Sequence, residues 1–134
     1  MGAVPRQIAA LLLAAGQGTR MKSAIPKVLH PIAGRPMLHY PLAAAEALRP
    51  SRLIAVVGSA AEQVGAAVGG RAELVLQSQQ RGTGHAVLQT ARALQGFRGD
   101  VLVLYGDTPL LRSETLAGML RHKAETRADL VMLS

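Results

Sequence analysis

Five segments of strand length recur along the chain, and most of them are uninterrupted runs of Ala, Val, Leu and Ile. Continuous apolar runs of this length are typical of parallel strands that are covered on both faces of a sheet. Strands are therefore predicted over residues 8–13, 53–57, 73–77, 101–104 and 129–133.

Segments with helical periodicity separate these strands, over residues 37–48, 61–68, from 82 onward, and 113–125. Thr83 and Ser113 are the expected N-caps of the third and fourth helices. An apolar stripe on the third helix is formed by Val87, Ala91 and Leu94. The alternation of strand and helix predicts an α/β fold, with an open, Rossmann-like, mostly parallel sheet wrapped by helices.

The first predicted strand ends in a glycine-rich loop, which runs from Leu13 to Met21 and continues to Pro26 and Lys27. Glycines let the backbone approach a ligand closely, and successive N–H groups can point at phosphate oxygens. Arg20 and Lys27 add positive charge. The loop therefore predicts a nucleotide-phosphate site, against the alternative of a glycine-rich turn that binds nothing.

Two well-known phosphate loops do not fit this stretch. A dinucleotide-binding loop needs a third glycine where Met21 stands, and an acidic residue after the next strand, where the chain has Gly58 and Ser59. The G-x-x-x-x-G-K-[ST] pattern of a P-loop occurs nowhere in the sequence. The loop therefore belongs to neither class.

Two further strand ends carry polar groups that suit a nucleotide. Gln77 ends the third strand and is followed by Gly82 and Thr83, while Gly106 and Asp107 follow the fourth strand. Asp107 is either a ligand for Mg²⁺, which proteins hold with one or two carboxylates and the substrate's phosphates, or a cap of its own turn. Since ligands bind outside the carboxyl ends of parallel strands, the three loops predict one shared site.

Composition argues against several classes of protein. The 134 residues fit one compact domain, and the absence of cysteine rules out disulfides, thiolate zinc sites and a cysteine nucleophile. The net charge of +7 comes without a basic block, and two tyrosines and one phenylalanine are few for base stacking, so no nucleic-acid partner is expected. No apolar stretch approaches the ~20 residues of a membrane span and no signal peptide is recognisable, which favours the cytoplasm and no membrane partner.

Together the three stretches resemble a known family. L-A-A-G-x-G-T-R-M followed by P-K-V-L-H is similar to the signature of the sugar-phosphate nucleotidylyltransferases. Gln77, G-T-G-H-A at residues 82–86 and Y-G-D at residues 105–107 narrow the resemblance to the uridylyltransferase domain of the bifunctional bacterial enzymes that make UDP-N-acetylglucosamine. Relatives that transfer cytidylyl or guanylyl groups share the first loop, but the other two stretches are not expected of them. The resemblance covers nearly the whole chain and implies the nucleotide-diphospho-sugar transferase fold.

The resemblance implies a reaction and a set of residues in the first loop. UTP and N-acetylglucosamine 1-phosphate would react with Mg²⁺ to give UDP-N-acetylglucosamine and pyrophosphate. Arg20 and Lys27 would bind the triphosphate and act in catalysis, and Asp107 would hold Mg²⁺. The remaining residues of this loop that would contact the substrate are Leu13, Ala14, Ala15, Gly16, Gly18 and Thr19.

The resemblance also assigns the other two strand ends. Gln77 would recognise uracil through its side-chain amide, together with the backbone of Gly82 and Thr83. Tyr105 and Gly106 would line the sugar side. His85 lies in one of these stretches and, like His30, is expected to orient a loop rather than to transfer protons.

The family's catalytic domain extends beyond 134 residues, so the chain is expected to be a C-terminally truncated domain. A second metal ligand, an asparagine, and most sugar contacts would lie in the later part. So would a β-helix acetyltransferase domain, which uses acetyl-CoA and makes the parent a homotrimer. An open sheet edge with exposed apolar surface is expected here. Two alternatives stay open: another sugar-phosphate or alcohol-phosphate nucleotidylyltransferase, and a nucleotide-binding module without catalysis.

Overall fold

The computed structural model describes residues 7–16 and 25–134. In chain order the elements within these ranges are β1 (Ile8–Ala14), a 3-10 helix (Lys27–Leu29), β2 (Pro31–Ile32), β3 (Arg35–Pro36), α1 (His39–Glu46), β4 (Arg52–Val57), α2 (Ala61–Val68), β5 (Glu73–Leu76), α3 (Thr83–Leu88), β6 (Asp100–Tyr105) and α4 (Ser113–Thr126). None of the described helices has the length and apolar character needed to cross a membrane.

Four strands form one parallel sheet in the order β5-β4-β1-β6. β1 lies inside the sheet, with Leu12 opposite Ala55 of β4 and Leu104 of β6. The chain moves outward from β1 through β4 to β5 and then returns to the other side of β1. The loops after β1 and β6 therefore diverge at a switch point, where open α/β sheets bind their ligands. The predicted parallel α/β sheet is confirmed.

Helices cover the two faces of the sheet unequally. On one face, the buried Leu12 belongs to a cluster with Leu42 of α1, Val64 of α2 and Leu116 of α4. On the other face, Ala86 of α3 packs in a smaller buried cluster over β1 and β4. Buried side chains therefore pack against β1 or the residue that follows it in both clusters.

β6 leaves one of its faces uncovered, as expected for an open edge. Val101 and Val103 are 45% and 38% exposed, whereas the alternate residues are buried. The prediction of a fifth strand over residues 129–133 is wrong. This segment lines an apolar groove together with the residues of β6. Its backbone pairs with no described strand, and Leu130 and Met132 are 75% and 80% exposed. An apolar run becomes a strand only where a sheet edge takes up its backbone hydrogen bonds.

Both N-cap predictions are wrong by one residue. Gly82 stands at the N-cap of α3 with φ of 97°, a conformation that favours glycine, and Thr83 is the first helical residue. Arg112 stands at the N-cap of α4, so Ser113 also lies inside the first turn. Neither helix has a side-chain cap hydrogen bond. The N-cap preferences of Thr and Ser located the two helix starts to within one residue but did not identify the residue that stands at each N-cap.

α3 is also shorter than the predicted stripe requires, because the helix ends at Leu88 and continues as turns. The buried residues are Ala86 and Thr90, whereas Val87 is half-buried and Ala91 is exposed. Thr90 Oγ1 donates to the carbonyl of Val87 at 2.6 Å, which satisfies its buried hydroxyl. The predicted apolar stripe is therefore wrong, and Thr90, which the stripe did not include, is buried in this segment.

An ion pair joins the end of α1 to the turn before β5. Arg71 Nε donates to Glu46 Oε2 at 3.0 Å, and a second hydrogen bond joins Nη2 to Oε1. Hydrogen bonding to Arg71 lowers the pKa of Glu46, and the same contact raises the pKa of Arg71. The pair therefore favours the ionised carboxylate in the folded state.

Glu46→Gln is expected to reduce the free energy of unfolding at pH 7 by about 0.5 kcal/mol, since exposed ion pairs are screened by solvent. A folded-state pKa below the unfolded value gives stability that is present above the unfolded pKa and is lost as pH falls through the folded pKa. Urea unfolding of both proteins from pH 7 to pH 3 should show the difference shrinking below about pH 4. A difference that stays constant over this range would contradict the role of the ionised pair.

Candidate functional site

The carboxyl ends of β1, β5 and β6 open onto one cleft of about 310 Å³. The loops after these strands, the 3-10 helix and α3 contribute its walls. The lining residues are Leu13, Ala15, Gly16, Lys27, Val28, Gln77, Gln80, Gly82, Thr83, Ala86, Tyr105 and Asp107. The structure thus brings three loops that are distant in sequence to one place, at the switch point of the sheet.

Nine of the residues expected at a nucleotide site lie on this cleft. Ala14 and Gly106 are buried directly beside it and do not line it. Gly18, Thr19 and Arg20 lie outside the described residues, and their roles stay predictions. The cleft also includes three residues that the sequence analysis did not single out, namely Val28, Gln80 and Ala86.

Lys27 is held at the mouth of the cleft by a segment that the sequence did not predict. It begins the 3-10 helix, whose next residue, Val28, is buried. The N–H of Leu38 donates to the carbonyl of Val28 at 2.8 Å, and that of Met37 to the carbonyl of His30 at 2.9 Å. These bonds join the end of the β2–β3 hairpin to the 3-10 helix. The backbone of Lys27 is thereby positioned, while its side chain stays 45% exposed.

Asp107 faces Lys27 across the cleft. Lys27 Nζ donates to Asp107 Oδ2 at 3.1 Å, and the carboxylate side chain is 39% exposed. The turn after β6 is closed instead by Thr108, whose Oγ1 donates to the carbonyl of Tyr105 at 2.9 Å. Among the described residues Asp107 makes no capping hydrogen bond, so the structure does not support the interpretation of Asp107 as a turn cap. Its carboxylate is available to a ligand in the cleft.

Gly106 brings the Asp107 loop against the first loop. Its N–H donates to the carbonyl of Leu13 at 2.9 Å, which extends the pairing of β6 with β1 beyond the strand end. A Cβ at this position would lie 3.1 Å from Val28 Cγ1 and 3.3 Å from the Leu13 carbonyl oxygen. A larger residue would therefore push apart the two loops that carry Lys27 and Asp107.

Gln77 is the buried polar group of the cleft, with 3% of its surface exposed. Its backbone N–H donates to the carbonyl of Val57 at 2.7 Å, which fixes the end of β5 against β4. Its side-chain Nε2 donates to the Gly82 carbonyl at 3.4 Å and lies 2.9 Å from Nδ1 of His85. His85 therefore contacts the side chain of Gln77 and does not line the cleft, and its expected role in orienting a loop stays a prediction.

Gln80 connects the loops after β1, β4 and β5. Its Nε2 donates to the carbonyl of Ala15 at 2.5 Å, across 65 positions of sequence. Gly58 follows β4 at the same point, where a Cβ would lie 2.7 Å from both the Ala15 carbonyl oxygen and Gln80 Nε2. The sequence shows that Gln80 is a polar residue in the loop after β5, but nothing in the sequence indicates that it contacts Ala15.

Gly58→Ala is expected to destabilise the fold by about 1–3 kcal/mol, because the added methyl group displaces a backbone carbonyl in a closely packed region. Gly84→Ala is the matched control, since a Cβ there meets no atom within 4 Å and lies on a helix, where alanine is favourable. Denaturant unfolding of the three proteins measures both effects. A Gly58→Ala protein as stable as the unaltered chain would mean that the loops do not meet in this way.

The donors of the cleft allow only part of a metal site. No group of three or more His, Cys, Asp or Glu side chains that could hold a metal ion exists among the described residues. Asp107 supplies one hard carboxylate at the mouth of the cleft, beside a cation that attracts phosphate. One carboxylate completed by phosphate oxygens and water is the coordination that Mg²⁺ commonly takes in proteins. The donor set therefore fits a divalent ion that arrives with a phosphorylated ligand.

The arrangement combines a cation, a carboxylate and a buried amide on one ligand-sized surface. Lys27 can neutralise phosphate charge, and Gln77 can hydrogen-bond to a heterocyclic base. None of the described lining residues forms a nucleophile–base–acid arrangement of the kind used in covalent catalysis. The cleft therefore carries groups suited to binding and orienting a phosphorylated ligand.

Known proteins with similar sequences are nucleotidyltransferases or proteins that contain an NTP transferase domain. The model of the MobA-like NTP transferase domain matches residues 10–134. The chain is 52% identical over 126 residues to the bifunctional protein GlmU of Sphingopyxis alaskensis and 56% identical over 128 residues to that of Ruegeria sp.. These matches cover 94% and 93% of the chain but 28% of each relative, so the chain spans little more than a quarter of their length.

Solved structures share the fold. A nucleotidyl transferase from Methanothermobacter thermautotroptrophicus superposes with a TM-score of 0.76 at 26% identity, over 87% of this chain and 57% of that one. Rv0371c of Mycobacterium tuberculosis, solved as a complex with manganese, superposes with a TM-score of 0.67 at 27% identity, over 90% of this chain and 59% of that one. A parallel sheet with a cleft at its switch point and a family model that matches nearly all residues lead to one conclusion: the chain belongs to the MobA-like NTP transferase domain family.

Proposed function

We propose that the chain is the N-terminal part of a uridylyltransferase that converts UTP and N-acetylglucosamine 1-phosphate into UDP-N-acetylglucosamine and pyrophosphate. The observation that carries the proposal is the single cleft shared by Lys27, Asp107 and Gln77. Sequence identity above 50% to two GlmU proteins supports the choice of this reaction among those of the family.

The base and ribose are assigned to the side of the cleft between β1 and α3. Leu13, Ala15 and Gly16 provide a backbone edge there, and Gln77 provides a polar group. Gly82 lines the cleft without a side chain, and its φ of 97° favours glycine at this position. Thr83 and Ala86 of α3 line the same wall.

The triphosphate is assigned to the opposite side, where Lys27 and Asp107 meet. Lys27 binds phosphate oxygens directly, and Asp107 would hold Mg²⁺ against them. The ion would neutralise charge on the α-phosphate and on the leaving pyrophosphate. The manganese complex of Rv0371c is consistent with a divalent ion in relatives of this fold.

The reaction is an in-line substitution at phosphorus. An oxygen of the sugar phosphate forms a bond to the α-phosphorus of UTP while the bond to the β-phosphate oxygen breaks, and the electron pair leaves with pyrophosphate. The attacking phosphate is already ionised, so no protein base is needed. The protein accelerates the step by holding the two phosphates in line and by stabilising negative charge as it moves to the leaving group.

Arg20 completes this proposal from the first loop. It lies outside the described residues, and its role stays a prediction. Arg20→Ala is expected to lower turnover much more than it weakens UTP binding, since its charge would act on the transition state. Equal losses in both would make Arg20 an anchor for the ground state alone.

A second candidate, nucleotide binding without catalysis, is favoured by one observation. Among the described residues that line the cleft, Asp107 is the one carboxylate. Under this alternative UTP binds with metal and no pyrophosphate appears.

A pyrophosphate-release assay with UTP, Mg²⁺ and N-acetylglucosamine 1-phosphate, run beside calorimetric titration of UTP, separates these outcomes. Metal-dependent turnover supports the uridylyltransferase, and binding without turnover supports a site that needs further residues. Absence of both in a folded sample would exclude the nucleotide proposal. Replacing the sugar phosphate by glucose 1-phosphate tests whether another acceptor is preferred.

A further inference from the structure

A line of three side chains leads from the cleft into α3. Gln77 Nε2 lies 2.9 Å from Nδ1 of His85, and Nε2 of the same ring lies 3.2 Å from the amide nitrogen of Gln89. His85 does not line the cleft. We propose that His85 is a positioning residue that fixes the amide of Gln77 with its oxygen toward the base, and so makes the site prefer uracil over cytosine. The inference rests on the proposed function, because it places the base of a nucleoside triphosphate against Gln77.

The carbonyl of Gly82 determines which end of the Gln77 amide is the nitrogen. A backbone carbonyl only accepts hydrogen bonds, so the amide atom 3.4 Å from it must be the donor Nε2. The second hydrogen on Nε2 then points to His85, whose Nδ1 must accept. With Nδ1 as the acceptor, the ring carries a proton on the other nitrogen, Nε2. The Nε2 atoms of Gln77 and Gln89 both lie against the ring, so one of the two amides must be turned. Turning Gln89 gives up the 3.2 Å hydrogen bond from its Nε2 to the carbonyl of His85, which the backbone N–H of Gln89 also reaches, and lets its amide oxygen accept the ring proton.

The same bonds leave one atom of Gln77 for a ligand. Both amide hydrogens are used, and Oε1 accepts no hydrogen bond from the residues the structure describes. Every fully buried polar side-chain atom in these residues has a partner. Oε1 is therefore not fully buried, and Gln77 lines the cleft. A ligand that reaches this atom meets an acceptor.

An acceptor at this place distinguishes the two pyrimidines. Uracil carries a donor at N3, whereas N3 of cytosine is an acceptor and would face the Gln77 oxygen with two lone pairs opposed. Unmatched polar groups in a water-poor site are costly, and sites built on a hydrogen bond reject analogues that lack it. Without His85, the amide is held only by the long bond to Gly82. It can then turn and present its NH₂ group to cytosine N3.

The variants His85→Leu and His85→Asn separate this role from packing. Leucine has a similar volume but no acceptor, whereas asparagine can place its oxygen near the position of Nδ1. His122→Asn on the exposed face of α4 is the control. The ratio of the dissociation constants for CTP and UTP, measured by calorimetry with Mg²⁺, should fall about tenfold in His85→Leu, the fold-change of one hydrogen bond. It should stay near the original value in His85→Asn and in the control.

The tautomer of His85 in the unaltered chain provides a second measurement. Nitrogen-15 NMR at pH 8 should report a proton on Nε2 and none on Nδ1. A protonated Nδ1 would overturn the inference even if His85→Leu fails to fold.

The outcomes for the inference and for the proposed function differ. If the unaltered chain prefers UTP and His85→Leu keeps that preference, the inference is wrong and the proposed function stands. An equal loss of preference in His85→Leu and His85→Asn would also overturn it, since packing would then explain the effect. If the folded chain binds neither nucleotide, the proposed function fails, and base selection by Gln77 fails with it.

Discussion

Asp107→Asn is expected to abolish the dependence of UTP binding on the divalent metal. The carboxylate is the acidic group on the cleft, and asparagine keeps its size while removing its charge. A neutral amide oxygen is a far weaker ligand for Mg²⁺ than a carboxylate, because the ion prefers charged oxygen donors. Calorimetric titration of UTP with and without Mg²⁺ measures the effect directly.

The sign of the change should differ between the two conditions. Without metal, the Asp107 carboxylate repels the triphosphate, so Asp107→Asn should bind UTP as tightly as the unaltered chain or more tightly. With Mg²⁺, the unaltered chain should bind more tightly and the variant should gain nothing. If the chain shows turnover, the rate should fall at least about 100-fold in Asp107→Asn. Removing one group that stabilises charge in a transition state commonly lowers kcat by this amount.

Asp129→Asn is the matched control, since this exposed carboxylate lies away from the cleft. It should behave like the unaltered chain in both conditions. If Asp107→Asn retains the full metal-dependent gain, the metal is held elsewhere and the assignment of Asp107 is wrong.

The parallel sheet could be predicted from the sequence because each of its strands is recognisable from its own short stretch of residues. Residues 53–57 form an apolar run too short for a helix and bounded by glycine, and β4 ends at Val57 as expected. The positions of Lys27 and Asp107 on one cleft also followed from the rule that the carboxyl ends of parallel strands meet at one edge. These inferences needed periodicity and topology, which a single sequence contains.

The rest depends on contacts between residues that are distant along the chain. Gln80 reaches Ala15 across 65 positions, and Gly58 is required by the closeness of that contact rather than by its own turn. The segment at residues 129–133 has the composition of a strand and still pairs with none of the described strands. Tertiary packing decides whether a carbonyl accepts a hydrogen bond from a distant side chain and whether an apolar segment pairs with a strand. The conformational preferences of neighbouring residues do not contain this information.

Lys27→Gln is expected to lower turnover about 100-fold and to weaken UTP binding by less than tenfold. Under the proposed function Lys27 would lie where negative charge builds up on the leaving pyrophosphate, so its contribution should be larger in the transition state than in the bound ground state. Lys27→Arg retains the charge with a different geometry and should recover part of the loss. Initial rates of pyrophosphate release and calorimetric titrations of the three proteins give the comparison.

The ion pair with Asp107 makes a further result informative. Because both side chains are more than a third exposed, breaking the pair should change the free energy of unfolding by about 1 kcal/mol or less. A metal ion bound to Asp107 would also repel Lys27 from Oδ2 and free its ammonium group for phosphate. Removing Lys27 should therefore leave metal binding by the ligand-free chain intact or slightly stronger. Weaker metal binding in a stable Lys27→Gln protein would show that Lys27 organises the Asp107 site, and its charge could not then be assigned to the triphosphate alone.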